Sequence, residues 1–285
     1  MNGRSDYLIL SFLPVLLLFA FFFLGPIGFS LYYSFCDRKS RWIGIENYVN
    51  LFQNEEFYSA LQYTFKIAII SVAIAIVFAV LFSMVLRGTF IGRRVCLFFY
   101  QFNVSMPHLI VATMMILLLL PVGYLPSILY NMGLISDVSN LPLMIMDKKG
   151  VGVIICYVWK FIPFIGLSVL STLQSTSTAY EEQCRCIGMG KITTFLHVTL
   201  PSIKTAILST GLIAFAFAFG SYEVPALVGK TKTLAELAYY DYNNYYSMGG
   251  QPEAYAINVI ILLVIMAVSI LYLRIAVPKG GKRVE

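Results

Sequence analysis

The chain has 285 residues, of which 59% are hydrophobic and only 12% charged, and its mean hydropathy is +0.80. Soluble domains carry about 25% charged residues, so a water-soluble fold of this length is excluded and a polytopic membrane protein is expected. The formal net charge of +6 is read as membrane topology and supports no nucleic-acid partner.

A helix needs about 20 apolar residues to cross a bilayer. Six stretches qualify, at about 8–33, 63–86, 98–120, 151–173, 204–227 and 255–277. The first outruns a signal-peptide core and shows no A-x-A-like site before Cys36, so it is expected to be a retained span. Residues 1–285 then form one all-α transmembrane domain.

Between the first two spans, 36–62 reads as a polar outer loop with a short surface helix, and 87–95 as a short basic inner turn. Segment 121–150 holds Pro121, Pro126 and Pro142 and is expected to be irregular or re-entrant. Lys66, near the outer end of the second span, is expected to reach the headgroups. The outer segment 228–254 is rich in tyrosine (Tyr239, Tyr240, Tyr242, Tyr245, Tyr246), which suits an interfacial belt or a partner surface.

Pro14, Pro26, Pro107, Pro163 and Pro225 fall in or beside spans. Each removes a backbone donor where lipid offers none in exchange. One such break is an ordinary kink; several together suit a bundle lining a pathway.

Basic residues orient the bundle. With a cytoplasmic N-terminus, eleven lie on inner segments (Arg4, Arg87, Arg93, Arg94, Arg185, Lys191, Lys204, Arg274, Lys279, Lys282, Arg283) and seven on outer ones (Arg38, Lys39, Arg41, Lys148, Lys149, Lys230, Lys232). Both termini are therefore expected inside.

The polar stretch 181–201, "EEQCRCIGMGKITTFLHVTLP", interrupts the apolar runs between the fourth and fifth spans. Cys184 and Cys186 would point about 200° apart on a helix, and with Met189 and His197 they complete no tetrahedral metal set. No phosphate-cradling or hydrolytic motif occurs either, so neither a cofactor nor catalysis is assigned to this chain. Thr176 or Ser177 can cap a first short helix carrying Glu181 and Glu182, and Gly188 and Gly190 permit a sharp turn into a second. Two readings stand: a docking element for another protein, or an amphipathic hairpin on the inner leaflet.

Two further charges lie at membrane depth. Glu223, close to the outer end of the fifth span, and Lys160, in the fourth, differ in depth by roughly 6 Å at about 1.5 Å per residue, within reach of a lysine stem. They either pair or contact a solute. Tyr222, Tyr157 and Trp159 are aromatic candidates for the path, with Gln101 and Asn103 beside Pro107 as polar ones.

Glu182-Gln183-Cys184, then Gly188, then Val198-x-Leu200-Pro201 resembles the EAA loop of binding-protein-dependent ABC importer permeases. Gln183 and Cys184 stand where that pattern has alanines, and Val198 where it has isoleucine. The stretch "WIGIENYVNLF" after the first span resembles the family's G-L-x-N-Y segment. The resemblance covers the whole chain and implies a six-span type I importer permease with a cytoplasmic coupling helix in a loop at about 176–203. By it, Glu182, Gln183, Cys184, Ile187, Gly188, Met189, Leu200 and Pro201 would contact a cytoplasmic ATPase dimer that holds ATP and Mg. It also implies a second, non-identical permease subunit, an external solute-binding protein and a place in the bacterial inner membrane. "GSYEVPALVG" and "QPEAYAINVII" are similar to polyamine-type permeases, which suggests a small polar or cationic solute. The alternatives are a sugar-type permease of the same family or, in another class, an ATP-independent channel or carrier.

Overall fold

The structure is a computed structural model that describes residues 12–137, 144–175, 179–244 and 250–276. Thr176, Ser177, Pro142, Tyr245 and Tyr246, and the basic residues near both termini (Arg4, Lys279, Lys282, Arg283), lie outside the described residues. The described residues are helical apart from turns and one isolated bridge between Cys36 and Trp42. Among the described residues, six helical segments are long and apolar enough to cross a membrane (Phe12–Tyr33, Glu55–Arg87, His108–Asn131, Val151–Ser175, Lys191–Gly220 and Gln251–Ile275), with mean hydropathies from 1.7 to 3.0 over their best windows.

The chain divides into two units. One comprises residues 1–58 and 237–263. It contains α1 (Phe12–Tyr33) and the short surface helix α2 (Glu46–Leu51), where a short helix was expected. Within α1, Ala20–Leu24 forms a π-turn. The turn closes when Gly25 N–H bonds to Ala20 O, immediately before Pro26. The wide turn accommodates a residue that cannot donate. Asn47, in the segment that resembles the family's, is buried and donates from Nδ2 to Ser34 O (2.8 Å) and Cys36 O (2.9 Å). It thereby satisfies two carbonyls left open where α1 ends. Tyr33 and Tyr242 both pack on Tyr255, with ring centroids 5.7 and 5.9 Å apart.

The other unit comprises residues 59–236 and 264–285. Its elements are α3 (Glu55–Arg87), α4 (Arg93–Ser105), α5 (His108–Leu119), α6 (Tyr124–Asn131) and α7 (Val151–Ser175). They are followed by α8 (Ala179–Cys186), α9 (Lys191–Gly220) and α10 (Glu223–Val228), while α11 (Leu234–Asn243) begins here and lies mostly in the first unit. The last, α12 (Gln251–Ala276), ends in this unit. The core centres on α7, whose Val153, Tyr157, Ile165, Val169 and Leu173 are all buried and which packs along α9 and against α4 and α5. Most α3 and α9 side chains on the opposite faces are exposed and apolar, as hydrocarbon-facing helices require.

Four expectations change. Segment 121–150 is not irregular throughout: its first part holds α6 and completes the third span, His108–Asn131. The third stretch, 98–120, is not one helix: α4 stops at Ser105 and α5 begins after Pro107. The fifth span ends at Gly220 rather than 227, because Ser221 turns to extended backbone, φ −85° and ψ 137°. Lys66 does not reach for headgroups but donates from Nζ to Lys149 O at 3.0 Å.

Candidate functional site

The loop between the fourth and fifth spans is built by its termini. Helix α8 is closed off just past its end by Gly188, whose φ of +82° suits a residue without a Cβ. There Met189 N–H bonds to Cys184 O (2.9 Å) and Gly188 N–H to Arg185 O (3.0 Å). This pair of bonds is the Schellman closure, which satisfies the last carbonyls of the helix. The chain then re-enters a helix at Lys191. The expected second short helix is therefore the start of α9. Phe195–Thr199 forms another π-turn, closed by Leu200 N–H to Phe195 O directly before Pro201. Pro201 has no N–H to continue an α-turn, and the π-turn absorbs the defect.

Neighbouring glutamates in α8 take opposite roles. Glu182, Gln183, Arg185, Cys186 and Ile187 are exposed, whereas Glu181 and Cys184, three apart, are only partly so. Residues three apart share a helix face. Glu181 Oε1 accepts a hydrogen bond from Arg87 Nη1 at 2.7 Å and from Thr199 Oγ1 at 2.9 Å. Burial raises the Glu181 pKa, but the Arg87 and Thr199 hydrogen bonds outweigh it and hold the carboxyl below its ordinary value. Sequence reasoning placed Glu181 only in a first helical turn. The signal it lacked was Arg87, the last residue of α3, which is 94 positions away.

Cys184 lines a groove of about 520 Å³ with Tyr180, Gln183, Ile187, His197 and Val198. Among the described residues no cluster of three His, Cys, Asp or Glu side chains is arranged for a metal, and all five cysteines are free.

Deeper in the same unit, two proline breaks repair each other. Pro163 sits inside α7 and has no N–H for the carbonyl of Trp159, four residues back. Asn103 Nδ2 of α4 supplies that donor at 3.1 Å. Pro107 likewise withholds a donor from the end of α4. Lys160 Nζ of α7 donates there to Asn103 O (2.7 Å), Val104 O (3.1 Å) and Met106 O. An ammonium has three N–H groups, and all three are committed. Close packing reinforces the pair: Tyr100 Oη donates to Ile162 O (2.9 Å) and Ser83 Oγ to Gly166 O (2.8 Å). A Cβ on Gly166 would fall 1.9 Å from Tyr100 Oη.

The sequence-derived path residues separate accordingly. Lys160 caps α4 and does not pair with Glu223, which is exposed on α10, past the end of the fifth span. Tyr157 is fully buried, stacking on Phe161 of its own helix at 5.4 Å and meeting Phe217 of α9 edge-on at 6.4 Å. Tyr222 is exposed at the N-cap of α10. Trp159 is 53% exposed and borders a largely apolar cavity of about 700 Å³, with Phe82, Tyr100, Asn103, Met106 and Pro163 in its wall.

Comparison with known proteins fits this architecture. Residues 75–280 match the family model described as "Binding-protein-dependent transport system inner membrane component". The sulfate transport system permease protein CysW of Synechocystis sp. is 29% identical over 81% of this chain and 80% of its own length. The sn-glycerol-3-phosphate transport system permease protein UgpA of Yersinia pestis is 25% identical over 92% and 91%. Among solved structures, a bacterial ABC transporter involved in the import of the acidic polysaccharide alginate superposes with a TM-score of 0.77. That chain is 20% identical, and the match covers 96% of this chain and 98% of it. The six membrane helices with a polar loop before the fifth are thus those of a type I importer permease, a non-catalytic subunit whose ATPase is a separate chain. This chain belongs to the family of inner-membrane components of binding-protein-dependent ABC importers.

Proposed function

We propose that α8 is the element that docks into the cytoplasmic ATPase, with both chain termini on the same side. One observation carries this reading. The Schellman closure at Gly188 ends α8 abruptly and leaves Glu182, Gln183 and Ile187 exposed together outside the bundle. Cys184 and Met189 lie partly covered behind them, and Leu200-Pro201 sets the π-turn at the base of the loop. ATP and Mg would bind in the partner, and closure of the ATPase dimer would move α8. In the assembled transporter, Glu182→Lys or Gly188→Trp should uncouple ATP hydrolysis from uptake. Full transport by both variants would overturn the assignment.

The solute fits an anionic or hydroxyl-rich class better than a polyamine. Lys160 is spent on capping α4, and Glu223, the acid on which a cationic solute rested, is exposed on α10 beyond the fifth span. The named relatives carry sulfate and sn-glycerol-3-phosphate, and the fold neighbour imports alginate. Cells expressing the complete transporter should accumulate labelled sulfate, sn-glycerol-3-phosphate or an acidic oligosaccharide. Uptake of spermidine alone would overturn this class. A second permease subunit, related but not identical, would complete the path.

A further inference from the structure

We infer that Glu181, not the exposed Glu182, is the tie that makes α8 move as one body with the inner ends of the second and fifth spans. The inference deepens the docking reading and, for its functional meaning, rests on it. One carboxylate oxygen joins three elements distant in sequence: Arg87 at the last residue of α3, Glu181 on α8, and Thr199 at the end of the π-turn in α9. The site is partly sheltered, with the Arg87 and Glu181 side chains 15% and 17% exposed. A charge-assisted bond there is therefore less screened than a surface pair. The end of α3 is itself held, because Arg93 Nε donates to Leu86 O at 2.9 Å.

The alternative path for motion is the covalent chain. From α8 it runs through the turn at Gly188–Gly190 and then through the π-turn. Both allow the helix to pivot, since the first is a glycine reversal and the second a turn with displaced hydrogen bonds. A push on Glu182 and Ile187 would then be dissipated as rotation of α8. The bond to Arg87 closes a triangle across that pivot and ties α8 directly to the end of the second span. Glu181 is thus a positioning residue. It touches neither solute nor nucleotide and acts through Arg87 and Thr199.

The test measures the tie itself. Spin labels are attached to non-cysteine amino acids placed at Thr89, just past α3, and at Cys186 on the outer face of α8, which leaves the other cysteines native. In the full chain in nanodiscs, the distance distribution should be narrow. It should broaden in Glu181→Ala and narrow again in the charge-swapped Glu181→Arg, Arg87→Glu pair. In the complex with its ATPase, ATP plus vanadate should leave the wild-type distance unshifted but shift it in Glu181→Ala, with the ATPase still co-purifying. Equal widths in wild type and Glu181→Ala would overturn the inference, as would a swapped pair that stays broad. Docking fails separately. If Ile187→Asp retains the ATPase at wild-type stoichiometry, the docking reading is wrong, while the nanodisc measurement on the lone chain still decides the tie.

Discussion

Replacing Lys160 by Met tests the mutual repair of the two broken helices. Met fills the same volume and removes all three donors. Asn103 O retains Met106 N–H at 3.2 Å, so two carbonyls, Val104 O and Met106 O, lose the donor that Lys160 gave them. An orphaned buried acceptor costs about 1–3 kcal/mol, so the loss is roughly 2–6 kcal/mol. Against it stands relief from holding an ammonium away from water, itself several kcal/mol before its bonds are counted. The bonds win, because lipid supplies no substitute donor, and a net loss of about 2–4 kcal/mol is expected. At roughly 2–4 °C per kcal/mol, thermal unfolding in detergent should begin about 5–15 °C lower. Lys160→Arg should fall between, because a planar fork fits three converging carbonyls poorly. A Lys160→Met protein that melts with the wild type but no longer transports would refute the capping role and make Lys160 a solute contact.

Other expected outcomes follow from single positions. Gly166→Ala should destabilise by about 1–3 kcal/mol through overpacking against Tyr100 Oη. The double variant with Tyr100→Phe should recover part of that loss on the same melting assay. Gly188→Ala should cost about 1–2 kcal/mol, because the position is left-handed even though its Cβ would meet open space; hydrogen exchange at Met189 and Gly188 should report it locally. The Glu181 tie should depend on pH. Its folded pKa lies below the ordinary 4.5, so its contribution is present above that value and is lost as pH falls through the lower folded one. The width of the Thr89–Cys186 label distribution should therefore grow only in acid, and Glu181→Gln should remove the dependence.

The six spans were legible because membrane helices announce themselves by length and hydropathy, and the coupling loop because polar residues between apolar runs need a reason. What the sequence hid were contacts made between helices. Pro107 and Pro163 were visible as breaks, but Asn103 and Lys160 as the groups that mend them were not, since each repair runs from one helix to the other across more than 50 residues. Lys160 instead suggested a charge pair, because depth along a helix says nothing about which way a side chain turns. Glu182 carried the motif and Glu181 the structure for a similar reason. The family pattern marks Glu182, which is exposed, whereas the ion pair depends on the helix face turned towards Arg87. The loop's second helix was misplaced because a proline normally signals a boundary, and here a π-turn lets α9 run past it.

That π-turn also fixes an angle. A π-turn accommodates one residue more than an α-turn, and each residue of a helix advances it by about 100°. Deleting one residue between Phe195 and Thr199 would let the segment close as a plain α-helix and swing everything before it, α8 included, by roughly that amount about the axis of the fifth span. The direction in which the loop faces its motor is thus set by a count of residues, and insertions or deletions there should be far less tolerable than substitutions.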